Sequence, residues 1–237
     1  MKDSMNDLGQ GSILTIHTDG ACDPNPGPGG YGVVILDEGS RIEYFQGFSL
    51  TTNNRMELMG PIVALQALGD RRKVRIVSDS KYVVNGVARR WAYKWRDAKW
   101  VGKAGRKVPN HDLWARLLDL LDAHEVDFEW TKGHSSNSLN NRADALSYKA
   151  IEGNDLVEDE GYLTSLEDRK LNSRKITTVG QPCKKCRSPV IKKRPKRKLK
   201  SDQKFYFEYY LICPSCNTIY MVESAKRLLD KISRATT

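Results

Sequence analysis

The sequence predicts an α/β domain built on a five-stranded mixed sheet flanked by helices, followed by a small cysteine-bearing module. Three observations lead there. Over the first two thirds of the 237 residues, extended and amphipathic stretches follow the order βββαβα, an aromatic connection, then αβα. Three consecutive β runs call for an antiparallel hairpin edge, and later strands alternating with helices call for parallel pairing. Four of the five cysteines fall into two C-x-x-C pairs near the C-terminus.

The elements follow in order. Residues 12–19, SILTIHTD, are rich in β-branched residues and open the sheet. Asp23-Pro-Asn-Pro-Gly-Pro-Gly-Gly30 is too punctuated by Pro and Gly to be helical. Tyr31 to Leu36 and Arg41 to Leu50 read as a hairpin across Asp37-Glu-Gly-Ser40. Thr52-Asn53-Asn54 supplies N-cap chemistry for the helix MELMGPIVALQAL, where Pro61 invites a kink. Lys73 to Ser78 is the fourth strand, and Asp79-Ser80 starts the next helix. Asp112 to Ala123 is amphipathic, with Leu113, Leu117, Leu120 and Leu121 on one face. Val126 to Thr131 is the fifth strand and Leu139 to Ile151 a helix. Residues 12–163 form the first domain, 164–180 read as an aperiodic linker, and 181–237 form the second module, closing on a short helix over Glu223 to Ser233.

Charge is unevenly placed. Residues 1–163 hold 20 Lys and Arg against 23 Asp and Glu, a balance of −3; residues 164–237 hold 19 against 6, a balance of +13. A concentrated basic segment attracts polyanions, nucleic acid above all, although a solubilising tail is the bland alternative. No apolar run approaches the ~20 residues that cross a bilayer, so no membrane partner is expected. The stretch MKDSMNDLGQGS lacks the apolar core of a secretory signal, and the expected compartment is the cytoplasm. A monomer is the expected state.

Four acids stand where chemistry gathers. Asp19 ends the first strand and Asp79 the fourth, and sites in open α/β sheets collect at the carboxyl ends of strands. Glu57 and Asp144 lie in the first turns of two helices. Converging acids repel unless a cation lies between them, and hard ions with oxygen ligands, Mg²⁺ or Mn²⁺, suit them. Two such ions ~3.5–4 Å apart can activate a water and stabilise the leaving oxygen of a phosphodiester. Taken singly, each acid is better explained by capping a helix.

The local sequences decide between these readings. Thr18-Asp19-Gly20-Ala21-Cys22, Asn25-Pro-Gly-Pro-Gly-Gly-Tyr-Gly32, Thr51-Thr-Asn-Asn-Arg-Met-Glu-Leu58, Ser78-Asp79-Ser80, Trp130-Thr-Lys-Gly-His134 and Asn141-Arg-Ala-Asp144 occur in that order. Together they resemble the bacterial, type 1 ribonucleases H, from about Ser12 to Tyr162. The resemblance implies the ribonuclease H-like fold, with its second strand antiparallel. It implies hydrolysis of the RNA strand of RNA·DNA hybrids with 5′-phosphate and 3′-hydroxyl products. Asp19, Glu57, Asp79 and Asp144 match the acids that hold two metal ions, and His134 matches a loop histidine that aids proton transfer or product release. Asn25, Asn53 and Asn54 match minor-groove contacts, and Thr52 a DNA-phosphate contact. Lys94, Trp95, Arg96 and Lys99, in the aromatic and cationic stretch from Trp91 to Lys107, match a basic substrate handle. Asp97 interrupts that handle, and Trp91 reads as core.

Two rivals remain on the same fold. A non-catalytic hybrid-binding protein is disfavoured by the four intact acids. A different nuclease, such as a junction resolvase or an integrase, is disfavoured by the Thr-Asn-Asn and Lys-Gly-His contexts. The chain also departs from the family pattern. His17, two residues before Asp19 and so on its side of the strand, reads as a satisfied buried histidine. Ser135-Ser136-Asn137-Ser138 lacks the glycine expected after His134.

Cys183-x-x-Cys186 and Cys213-x-x-Cys216 read as the knuckles of a zinc ribbon holding one structural Zn²⁺. Disulfides within such close pairs would cross-link almost nothing. Asn217 stands where the second knuckle wants a left-handed residue. The 26 residues between the pairs exceed the usual ~15–20, and Lys192-Lys-Arg-Pro-Lys-Arg-Lys-Leu-Lys200 explains the excess as a basic hairpin loop. Phe205 to Tyr210 read as one strand with two aromatic faces. Four thiolates leave no open position, so the metal is expected to be structural, with a redox role the much weaker alternative, and the module is expected to aid nucleic-acid binding.

Overall fold

A computed structural model describes residues 13–37, 39–102, 106–133, 137–196 and 203–229. The chain divides into two compact units, Met1–Thr164 and Ser165–Thr237. The first holds a five-stranded sheet of order β3-β2-β1-β4-β5, made of β1 Leu14–Cys22, β2 Gly27–Asp37, β3 Ser40–Thr51, β4 Lys73–Ser78 and β5 Glu125–Trp130. β2 runs antiparallel to both β1 and β3, while β1, β4 and β5 are parallel. This is the ribonuclease H-like architecture that the motifs imply.

Helices cover both faces. On one, α1 Asn53–Gln66, α2 Lys81–Ala88, α3 Trp91–Asp97 and α4 His111–Ala123 close over a core that includes Ile16, Val33, Ile35, Met56, Ile62, Ile76 and Trp114. On the other, α5 Ser138–Glu152 packs Ala143 and Leu146 against Val34. The strands alternate, so Val33 and Ile35 serve one face and Val34 the other.

Several expectations change. The aromatic connection is helical over α3, and Trp91 is exposed rather than core, with the Arg89 guanidinium 5.7 Å from its ring. Trp95 and Trp100 pack against the core in its place. In α4, Leu113, Trp114, Leu117 and Leu118 are buried, with Leu120 and Leu121 at the edge. Thr52 occupies the N-cap of α1 but makes no side-chain cap bond. The stretch from 164 begins inside a helix, α6 Glu160–Ser173. Asp159 starts that helix by accepting from Tyr162 N at 3.1 Å, and only 174–180 is irregular.

The second unit holds two small sheets. β6 Ile191–Lys193, β8 Tyr210–Ile212 and β9 Ile219–Met221 form one, and β7 Phe205–Phe207 with β10 Lys226–Leu228 form the other. The single aromatic strand expected over 205–210 is therefore two strands in different sheets. Glu223–Ala225 is a 3₁₀ turn running into β10, in place of the expected helix; the remainder of that stretch, from 230, lies outside the described residues. Ile176, Val190, Leu211 and Val222 form the core with Cys183 and Cys213.

Candidate active site and four-cysteine centre

Register brings the strand acids together. β1 and β4 run in parallel with His17 opposite Val77, so two residues further on both reach an acid, Asp19 and Asp79. Two glycines bring the helix acids to them. A Cβ on Gly20 would lie 2.3 Å from Glu57 N, which means that α1 rests directly on the backbone of β1. Gly32 stands opposite Asp19 in β2, and a Cβ there would lie 2.0 Å from Ala143 O. That closeness seats α5, and with it Asp144, against the sheet beside Asp19.

Hydrogen bonds orient the acids. Gly20 N donates to Asp19 Oδ1 at 2.7 Å. Ser80 Oγ donates to Glu57 Oε2 at 2.7 Å, and Asn53 Nδ2 to Glu57 Oε1 at 3.0 Å. Ser80 also caps α2 by accepting from Val83 N. Trp130 Nε1 donates to Asp79 O at 3.0 Å. Burial above all, then the Asp79 charge and more weakly Asp144 and Glu57, push Asp19 up to about 8. Burial pushes Glu57 up to about 7; the Ser80 bond opposes this and the Asp79 charge adds to it. Burial and neighbouring charge thus favour the protonated form of both Asp19 and Glu57 in the protein alone.

The anchoring of α1 was not legible in the sequence. Arg55, 3% exposed, donates to Asp159 from Nε at 2.6 Å and from Nη2 at 2.7 Å. It also pairs with Asp112 at 2.7 Å. Thr51 Oγ1 donates to the same Asp159 at 2.6 Å. Partners 57 and 104 residues away leave no local signal. Ser80 starts α2 as its sequence context suggests, but its bond to Glu57 and the glycine seats were not legible, though glycines two apart on one strand face are a visible sign of close packing.

The remaining site residues are placed as follows. His134 lies outside the described residues; Gly133 before it approaches Asp79, where an added Cβ would stand 2.5 Å from Oδ2. Asn25 Oδ1 accepts from Asn53 N at 3.3 Å, so the loop before β2 is tied to the start of α1, while Asn54 is exposed. Lys94 and Lys99 are exposed, Arg96 pairs with Asp122 at 2.7 Å, and Trp95 is half-buried against Trp114. Asn137 caps α5 through Leu139 N and Asn140 N. His17 is buried as expected, but Nδ1 has no partner among the described residues, so it is not the satisfied histidine anticipated.

In the second unit the sulfurs of Cys183, Cys186, Cys213 and Cys216 lie within 4.8 Å of one another, the group of this kind found among the described residues. Cys183 Sγ to Cys216 Sγ is 3.5 Å and Cys186 Sγ to Cys213 Sγ 3.2 Å. Disulfide sulfurs would be ~2.05 Å apart, whereas ~2.3 Å metal–sulfur bonds in a tetrahedron put sulfurs ~3.8 Å apart. The knuckles repeat each other. Arg187 N and Asn217 N donate back to Cys183 O and Cys213 O, both at 2.9 Å, and both residues are left-handed, at φ 65 and φ 58. Asn217 thus adopts the conformation its position called for. Burial raises Cys183, but hydrogen bonds from Tyr220 and backbone amides outweigh it and lower the thiol to about 6, while burial pushes Cys213 up to about 11, so without a metal the four sulfurs do not share one protonation state.

The RNase H family model matches residues 11–152. The chain belongs to the RNase H family. It is 50% identical over 149 residues to a ribonuclease H of Trichodesmium erythraeum, covering 63% of this chain and 95% of that protein. It is 45% identical over 150 residues to ribonuclease HI of Synechocystis, covering 63% and 94%. The crystal structure of LC9-RNase H1, a type 1 RNase H with the type 2 active-site motif, superposes with a TM-score of 0.55 at 28% identity, covering 68% of this chain and 82% of that one. The chain accordingly is an enzyme with ribonuclease H activity. The match to the RNase H model ends before the four cysteines, so their unit is an addition to the family's domain. Among the described residues no helix is long and apolar enough to cross a membrane.

Proposed function

We propose that this RNase H is an endonuclease that hydrolyses the RNA strand of RNA·DNA hybrids where Asp19, Glu57, Asp79 and Asp144 hold two Mg²⁺ or Mn²⁺ ions. One observation carries the reading: acids from two strand ends and two helices lie near enough for the charges of Asp79, Asp144 and Glu57 to act on Asp19, and burial first, with the Asp79 charge added, raises Asp19 to about 8 and Glu57 to about 7. Near neutral pH Asp19 and Glu57 ionise fully only with cations beside them, and all-oxygen ligands favour hard ions. When bound, two such ions supply an activated water and a counter-charge for the leaving 3′-oxygen, giving 5′-phosphate and 3′-hydroxyl ends. The chain's own residues do the positioning. Ser80 and Asn53 hold both Glu57 oxygens, and Gly20 N holds one oxygen of Asp19. His134, after Gly133, is read as the group that moves a proton at the leaving oxygen.

Substrate contacts follow the resemblance. Asn25, Asn53 and Asn54 read the two strands across the minor groove, Thr52 meets a phosphate, and Lys94, Trp95, Arg96 and Lys99 form a basic handle. The Arg96–Asp122 pair and the packing of Trp95 leave Lys94 and Lys99 as the freer cations of that handle.

The chain is read as a catalytic domain over 12–163, a connector over 164–180 and a module over 181–237; the burial of Ile176 in the module's core draws the module's start into the connector. Cys183, Cys186, Cys213 and Cys216 hold one structural Zn²⁺, supported by sulfur spacing near that of a tetrahedron. Thiols kept for a metal fit a reducing compartment, the cytoplasm. The +13 balance of the tail makes it a grip for nucleic acid.

A substrate panel tests the activity: matched RNA·DNA hybrid, double-stranded RNA and double-stranded DNA, with labelled strands and Mg²⁺. Cutting confined to the RNA of the hybrid is expected. Equal cutting of double-stranded RNA, or cutting of DNA, would sink the reading.

A further inference from the structure

The chain leaves one small sheet of the C-terminal unit and enters the other between Phe207 and Tyr210. Beside that break is a cavity of about 410 Å³ lined by Lys192, Arg194, Tyr206, Glu208 and Tyr209. Among the described residues no aliphatic side chain lines it. Its one acid is neutralised, since Arg227 holds Glu208 with two bonds of 2.9 Å. Its two cations are available: among the described residues neither Lys192 nor Arg194 has an acidic partner, and Lys192 Nζ lies 4.1 Å from the centre of the Tyr209 ring. The rings play different parts. Phe207 and Tyr209 pack against the core of the unit, whereas the half-buried Tyr206 does not belong to it.

We propose that this cavity is a site for single-stranded nucleic acid, in which Tyr206 stacks on an unpaired base and Lys192 and Arg194 take the flanking phosphates. This rests on reading the tail as a nucleic-acid grip and adds the form of nucleic acid. A flat hydroxylated ring beside cations that have no acidic partner among the described residues matches a base attached to a phosphate. The described lining, without aliphatic groups, suits an apolar peptide anchor less well. Single strand follows from geometry: in a duplex each base is stacked on both faces, so a ring recessed beside a cavity reaches only an unstacked one. The catalytic unit would then act on the paired segment while the tail holds an adjoining unpaired one. DNA and RNA share this chemistry, and both are used as probes.

The experiment uses the full chain without divalent ions. Binding is measured for a mixed-sequence single strand, as DNA and as RNA, for an abasic DNA strand of the same length, and for a matched hybrid. The wild type is expected to bind the strands with bases more tightly than the abasic strand, a comparison that needs no variant. Tyr206→Leu is expected to weaken binding of the strands with bases about 5- to 150-fold, the range of base–aromatic stacking. It should leave the abasic strand and the hybrid unchanged, and Tyr206→Phe should bind like wild type. If Lys192→Gln with Arg194→Gln weakens all probes while Tyr206→Leu weakens none, the tail grips phosphate only and this inference falls alone. If neither variant changes any probe, the inference and the reading of the tail fall together. Equal wild-type affinity for the abasic strand and the strands with bases also overturns the inference, whatever the variants do.

Discussion

Asp19→Asn is expected to stabilise the metal-free protein while it removes activity. In the unfolded chain an aspartate titrates near 3.9; in the fold, burial and the neighbouring acids raise Asp19 to about 8. Between those values the folded state holds a proton that the unfolded state has released, so stability falls as pH rises through this window and the loss is complete above pH 8. Four decades at about 1.4 kcal/mol each set a ceiling of about 5–6 kcal/mol. Relaxation and water entry at the ionised site bring the expected gain below that ceiling, to on the order of 2–3 kcal/mol, for the asparagine, which keeps an oxygen for Gly20 N and never ionises. At roughly 2–4 °C per kcal/mol, the melting temperature rises roughly 4–12 °C. All five tryptophans lie between Trp91 and Trp130, so their fluorescence reports the catalytic unit alone. Melting in EDTA at pH 8.5 should favour Asp19→Asn by that margin, and at pH 4.5 the two proteins should nearly coincide. Added Mg²⁺ should raise the wild type much more than the variant. A variant that melts at or below the wild type at pH 8.5 in EDTA would refute the argument that these acids are held against their own repulsion.

Other outcomes follow from the same structure. Arg55→Met leaves Asp159 and Asp112 without their cation and should lower stability by about 3–5 kcal/mol in urea titration; a loss below about 1 kcal/mol would show that the buried pairs do not anchor α1. Freshly purified, reduced protein should carry one zinc per chain by elemental analysis, and Cys213→Ser should lose it; a zinc-free wild type would overturn the centre. Deleting residues 165–237 should flatten the log–log salt dependence of hybrid binding by roughly 3–4 units if the basic loop meets about four phosphates at ~0.9 each. Discrimination of hybrid from double-stranded DNA should persist, because phosphate contacts carry little sugar information. Equal slopes would make the tail a docking surface for a protein instead.

Much of the catalytic unit was legible because its signals are local. The acids sit in short contiguous motifs, and strand alternation sets which side chains face which helix. What escaped depends on partners far along the chain or on packing. Arg55 reads as an ordinary helix residue until Asp112 and Asp159 are beside it. Gly27, Gly29 and Gly30 read as loop, although they lie in β2, and that Gly30 and Gly32 seat α5 in particular carries no sequence signal of its own. Asn53 was read for the substrate, but in the protein alone its amide holds Glu57. α3 was missed because aromatic and cationic residues alternate there without an apolar stripe. In the tail, Lys226–Leu228 carries no strand signal of its own and is drawn into a sheet by Phe205–Phe207, about twenty residues earlier.

The central claim is that the four acids hold the ions that cut the RNA strand. Single-turnover cleavage of a matched hybrid by Asp79→Asn, with hybrid affinity measured alongside, tests it most directly. Asp79 is the residue whose charge both Asp19 and Glu57 feel, and a neutral amide cannot hold the ions as a carboxylate does. The expected result is loss of Mg²⁺-dependent cleavage with hybrid binding retained. Cleavage at the wild-type rate would place the chemistry elsewhere.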